Sequence, residues 1–149
     1  MSPGRSFTAT SAASGKIGEL LSAIHRFHSM GMTHCRICPS NIFIDADANL
    51  KLGDFDSKYG LLRGFDNEQF LAEPVAVWAA PEVTDCLLTG GDIRSEVDWK
   101  RADVFSAGMC IFLALTGQHP FGTFADDDRL AAAGAAVEST IGKMLEKII

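Results

Sequence analysis

The chain has 149 residues, of which 47% are hydrophobic and 21% charged. That is the balance of an ordinary folded domain, long enough to bury roughly two thirds of its unfolded surface. A formal net charge of −6 disfavours general attraction to nucleic acid or an anionic membrane. No early apolar stretch is long enough for a membrane span or a secretory signal, so a cytoplasmic chain with reduced thiols is expected.

Residues 1–14 are rich in Ser, Ala, Thr and Gly and predict a flexible lead-in, so residues 1–16 are set apart from a domain at 17–149. Arg5 without a neighbouring acid leaves a transit peptide as the alternative for this segment. From Ile17 to Met30 the apolar residues Ile17, Leu20, Leu21, Ile24 and Phe27 fall three and four apart, which predicts an amphipathic helix. Gly31 ends it, and Glu19, Arg26 and His28 are expected nearer solvent. A loop at 34–41 contains Pro39. The short runs Ile42-Phe43-Ile44 and Leu50-Lys51-Leu52, joined by a polar turn, predict a β-hairpin. Asp54, Phe55 and Asp56 follow directly.

Residues 57–82 lack sustained periodicity and read as a long ordered loop, a length that usually has a functional reason. A short helix is expected from Glu82 to Thr89, opened by Pro81 and closed by Gly90 and Gly91. The run from Val104 to Leu115 has almost no polar face, predicting a helix buried as the axis of the domain, stopped by Gly117 and Pro120. Residues 129–137 are Ala-rich and helix-permissive, and Ile141, Met144, Leu145 and Ile148 mark a final amphipathic helix. Cys35 and Cys38 have the spacing of a redox pair or half a zinc site. A structural zinc site takes four ligands as a rule, and neither a second such pair nor a close His pair follows. Two ordinary loop thiols are the preferred reading.

Four landmarks occur in order: the loop His34-Cys35-Arg36-Ile37-Cys38-Pro39-Ser40-Asn41; Asp54-Phe55-Asp56; Ala80-Pro81-Glu82; and Asp103-Val104-Phe105-Ser106-Ala107-Gly108. In order, spacing and context they resemble a eukaryotic protein kinase. The expected fold is therefore mainly α: a kinase-like C-terminal lobe with a small β-hairpin and a long activation-like segment. With only residues 1–16 before the first helix, the domain is expected to be partial and truncated at both ends. No Gly-rich loop, nucleotide-binding Lys or partner Glu is found in the sequence. The runs Trp78-Ala79-Ala80-Pro81-Glu82 and Gly117-Gln118-His119-Pro120-Phe121-Gly122, together with the Asp-Phe-Asp variant, are most similar to the Ire1-like group, which includes the 2-5A-dependent ribonuclease. Residues 1–149 include no stretch resembling that group's ribonuclease domain.

The resemblance also implies what each site residue does. Arg36 occupies the position of the catalytic Asp. A guanidinium stays protonated and offers no acceptor, so Arg36 cannot take a proton from a substrate hydroxyl. It either faces solvent without a role, pairs with Asp54, or contacts a phosphate; pairing with Asp54 is preferred. Cys38 stands where the family has a Lys, Cys35 where it has an Arg, and Val75 where it commonly has a Thr. Asn41 and Asp54 match the metal-binding Asn and Asp, which makes them candidate cofactor and metal ligands, although both residue types also hold loop backbone. Asp56 replaces a Gly, and Ser57 and Tyr59 are the only hydroxyl residues between Asp56 and Glu82, so a central phosphorylation switch has little to act on. His34 and Asp103 are expected to brace the loop and Trp78 to anchor the core, while Glu82 is left without a convincing partner.

The expected function is that of an inactive pseudokinase lobe, engaged in protein contacts or vestigial. The alternative is a fragment of an ATP-binding serine/threonine kinase whose N-terminal lobe is encoded elsewhere. No cofactor is expected for the chain itself, and ATP with Mg²⁺ only if the full domain exists. The implied partner is another protein or a kinase N-terminal lobe.

Overall fold

The computed structural model describes residues 6–54, 70 and 74–121. Helix α1, Ser6–Ser29, leads through a loop to a 3-10 turn at Pro39–Asn41 and the hairpin strands β1, Ile42–Ile44, and β2, Leu50–Leu52. A second 3-10 segment, Pro74–Trp78, precedes helix α2, Pro81–Thr89, the single turn α3, Ile93–Glu96, and the long helix α4, Trp99–Thr116. Among the described residues the fold is mainly helical with one two-stranded antiparallel sheet, as expected of a kinase-like C-terminal lobe.

Helix α1 begins at Ser6, well before Ile17, so the segment expected to be a flexible lead-in is helical from that residue. No proline interrupts the sequence between Ser6 and Ser29, and extending an existing helix costs far less than nucleating one. Leu20 and Ile24 are buried as the periodicity requires, whereas Leu21 lies mostly outside the contact. Burying each of the first two contributes about 1.5–3 kcal/mol. Gly31, in the left-handed region with φ +76°, turns the chain away after the helix.

The hairpin pairs Ile42 with Leu52, Phe43 with Lys51 and Ile44 with Leu50. Asp45 organises its turn, its Oδ1 accepting from the Asp47 and Asn49 N–H groups at 3.0 and 2.8 Å. That capture, from Asn49 first, holds its carboxyl below the usual range. Helix α1 grips the sheet through Glu19, which accepts from the Leu50 N–H at 2.6 Å and from Lys16 at 2.7 Å. Lys16 also donates to the Ala48 carbonyl.

Helix α2 starts with Pro81 at its first position and ends on Gly90 at φ +74°. Helix α4 is capped by Asp98, which accepts from the Lys100 and Arg101 N–H groups. It stops at Gly117, φ +70°, whose N–H reaches the Leu113 carbonyl at 2.8 Å. The sequence predicts that α4 is buried all round; the structure corrects this. Ala102, Asp103, Ser106, Ala107, Met109, Cys110 and Leu113 are buried, but Val104, Phe112 and Leu115 are exposed at 56%, 44% and 58%. Spacings of three and four join the buried set, and the exposed residues fall eight and three apart, so each keeps to its own side of the helix; the inner side packs against α1 and the Pro74–Trp78 segment. The expected long loop lies mostly outside the described residues, as do Asp56, Ser57 and Tyr59, the Ala-rich stretch 129–137 and the final amphipathic pattern.

Candidate functional site

The site forms where the loop after α1, the end of β2 and the start of α4 meet. Asp103 is its hub, only 2% exposed. One carboxylate oxygen accepts from the Cys35 N–H at 2.8 Å; the other accepts from the His34 N–H at 2.8 Å and from His28 Nε2 at 3.0 Å. Asp103 lies in the second turn of α4, past the four N–H groups that open the helix, so its partners are these loop donors and the His28 ring rather than the helix terminus. Cys35 sits at φ +66°, a region non-glycine residues enter at a cost of about 1–3 kcal/mol. The two bonds from its own and the preceding N–H hold that turn in place.

His34 carries the connection to β2. Its Nε2 donates to the Gly53 carbonyl at 2.9 Å while its Nδ1 accepts from the Arg36 N–H at 3.2 Å. These partners assign a neutral ring with the proton on Nε2, and burial, the largest influence, pushes its pKa below the ordinary imidazole value. The bracing role expected of His34 is thereby given its geometry. Asn41 closes a second link: its Nδ2 donates to the Arg36 carbonyl at 2.8 Å, and its own carbonyl accepts from the Gly53 N–H at 2.8 Å. Arg36 and Asp54 are thus brought together from both sides, and a guanidinium nitrogen of Arg36 lies 3.4 Å from Asp54 Oδ2. Asp54 also adopts the left-handed region, φ +59°.

Asn41, Asp54 and Arg36 therefore share one place, the preferred pairing of Arg36 with Asp54 is present, and Asp103 and His34 brace the loop. His28, expected nearer solvent, instead points inward at Asp103. The signal was in the sequence, because His28 follows Leu20 and Ile24 at steps of four along the buried stripe. Gly53 was also missed, since its role belongs to its backbone N–H and carbonyl. A Cβ there would come within 2.7 Å of the Phe43 ring.

Further along, Trp78 is buried at 3% and anchors the core as expected. His119 stands edge-on to it with ring centroids 4.8 Å apart. His119 Nε2 donates to the Val77 carbonyl at 3.3 Å and its Nδ1 accepts from the Phe121 N–H at 3.2 Å. Glu82 is exposed and enters none of the ion pairs formed among the described residues. All four cysteines are free thiols. Burial raises the Cys35 thiol to about 11 and pushes Cys38 upward as well, the opposite of what a reactive thiol needs. Among the described residues, no group of three or more His, Cys, Asp or Glu is placed to hold a metal ion. No helix among them is long and apolar enough to cross a membrane.

This braced loop, hairpin and capped central helix define a protein-kinase-like domain, and the comparisons agree. Residues 4–145 match the protein kinase domain, and the chain belongs to that family. It is 32% identical over 123 residues to CBL-interacting protein kinase 4 of Oryza sativa subsp. japonica, covering 81% of the chain and 24% of that protein. It is 30% identical over 117 residues to the serine/threonine-protein kinase SIK2 of Gallus gallus, covering 74% of the chain and 13% of that protein. It is 31% identical over 105 residues to the serine/threonine-protein kinase chk1 of Schizosaccharomyces pombe, covering 69% and 19%. The chain spans a quarter or less of these relatives' lengths. No solved structure matches it.

Proposed function

We propose that this chain is a noncatalytic protein-kinase C-terminal lobe, a pseudokinase module that works through contacts with another protein. The supporting observation is the Arg36–Asp54 pair at 3.4 Å. The position expected to accept the substrate proton holds a group that is cationic at every accessible pH, and that group is drawn onto the carboxylate the family uses for metal. Cys38 and Val75, both buried, further remove the Lys and Thr that the resemblance implies. The test is transfer of radiolabelled phosphate from ATP and Mg²⁺ to a generic protein substrate. No transfer above background is expected; transfer that disappears in Asn41→Ala or Asp54→Ala would overturn the proposal.

A second reading draws on the retention of Asn41 and Asp54 and on relatives several times longer than the chain. On it, the chain is part of an ATP-binding serine/threonine kinase of the Ire1-like group, completed by an N-terminal lobe encoded elsewhere. The Ire1-like placement rests on the Trp78–Glu82 and Gly117–Gly122 runs. A saturable thermal shift with ATP and Mg²⁺, abolished by Asp54→Ala, would favour this second reading. So would a transcript that reads through upstream into a Gly-rich loop and a strand Lys.

A further inference from the structure

The Arg36–Asp54 contact is the closing bond of a circuit. The Arg36 N–H is held by His34, His34 holds the Gly53 carbonyl, and Gly53 precedes Asp54. The Arg36 carbonyl is held by Asn41, whose carbonyl holds the Gly53 N–H. The His34 ring, the Asn41 amide and one backbone bond therefore set the two residues side by side, and the guanidinium meets the carboxylate across the gap. The two candidate metal ligands of this circuit, Asn41 and Asp54, are each engaged with Arg36, one through its amide nitrogen and the other through its carboxylate.

A divalent cation does not fit this donor set. At Asp54 it would lie within ion-pair reach of a guanidinium that never loses its proton, and like charges at that separation repel. We propose that Arg36 is a tethered replacement for the metal: it supplies at Asp54 the positive charge that joins the loop to the end of β2, making that junction independent of divalent cations. This deepens the noncatalytic reading, on which it rests, by assigning Arg36 a positive task in addition to the loss of an acid. The left-handed turns at Cys35 and Asp54 are then held by attached groups alone.

The proposal is tested by thermal denaturation of the full chain with increasing Mn²⁺, without nucleotide. The wild-type midpoint should stay within about 1 °C. Arg36→Asp places a second carboxylate beside Asp54 and Asn41, and its midpoint should rise by about 3 °C or more as Mn²⁺ saturates. Adding Asp54→Asn to that variant should cancel the rise. Should Arg36→Asp not fold, Arg36→Lys and Arg36→Gln provide the same contrast: Lys stays silent to Mn²⁺, and Gln gains a response that Asp54→Asn removes. A saturable wild-type rise that Asp54→Asn abolishes overturns the proposal, as does silence in both charge-removing variants. A wild-type Mn²⁺ response without phosphate transfer would sink the tethered cation and leave the noncatalytic function standing.

Discussion

Asp103 concentrates more of the site on one side chain than any other residue described. Its carboxylate satisfies two loop N–H groups and the His28 ring inside the protein. Asp103→Ala leaves those buried and half-buried donors without their acceptor, and should cost on the order of 3 kcal/mol in urea-denaturation stability. A loss under about 1 kcal/mol would mean that the loop finds other acceptors. The histidines give a pH dependence whose direction follows from burial. His34 and His119 both have folded-state pKa values pushed below the ordinary imidazole value, each chiefly by burial. The unfolded chain therefore takes up protons first as pH falls, so their contribution is fully present above about pH 6.5 and is lost as pH drops toward the folded values. Urea midpoints should decline between about pH 7 and 5.5, before the carboxylates titrate, and His34→Gln should flatten that decline. Equal slopes in the two proteins would refute the assignment of a neutral His34.

Among the elements, glycine separates two kinds of helical position. Gly90 and Gly117 end α2 and α4 in the left-handed region, where a Cβ meets the following carbonyl. Alanine at either should lower stability by about 1 kcal/mol. Gly15 and Gly18 lie within α1 with open space where a Cβ would stand, so alanine there should raise stability by about 1 kcal/mol through helix propensity. Thermal denaturation of the four variants checks both signs. The limits of α2, the end of α4 and the hairpin were legible in the sequence because they are local: Pro81, Gly90, Gly117 and the Asp45–Asn49 turn act on backbone a few residues away, whereas the Asp98 cap that starts α4 was missed. The buried side of α4 was not legible. An almost wholly apolar helix carries no periodic signal, and among the described residues the packing of α1 and the Pro74–Trp78 segment helps select Ala107, Cys110 and Leu113 over Val104, Phe112 and Leu115. The start of α1 escapes sequence reading for a related reason, since a Ser- and Ala-rich stretch suits either a lead-in or the extension of an established helix.

At the scale of the whole molecule, the core keeps the thiols quiet. Cys38, Cys86 and Cys110 are buried and Cys35 is half-buried. Cys35, the most accessible of them, has its thiol raised to about 11 by desolvation, which leaves little thiolate at neutral pH. Labelling with a thiol reagent at about pH 7.5 should be slow in the folded chain and rapid in urea. Fast native labelling at Cys35 would show that the loop opens. The same core joins residues far apart in the chain: His28 meets Asp103 across 75 positions and Lys100 reaches the His28 carbonyl across 72. The sequence by itself determined the family resemblance, the hairpin, the C-terminal ends of α1, α2 and α4 and the arginine at the catalytic position, because each depends on residue identity at short spacing. Tertiary structure decided that His28 turns inward, that α4 shows an apolar side to solvent, and that Arg36 lies on Asp54. Those outcomes depend on which surfaces the folded chain brings within a few ångströms, and spacing along the sequence does not encode that distance.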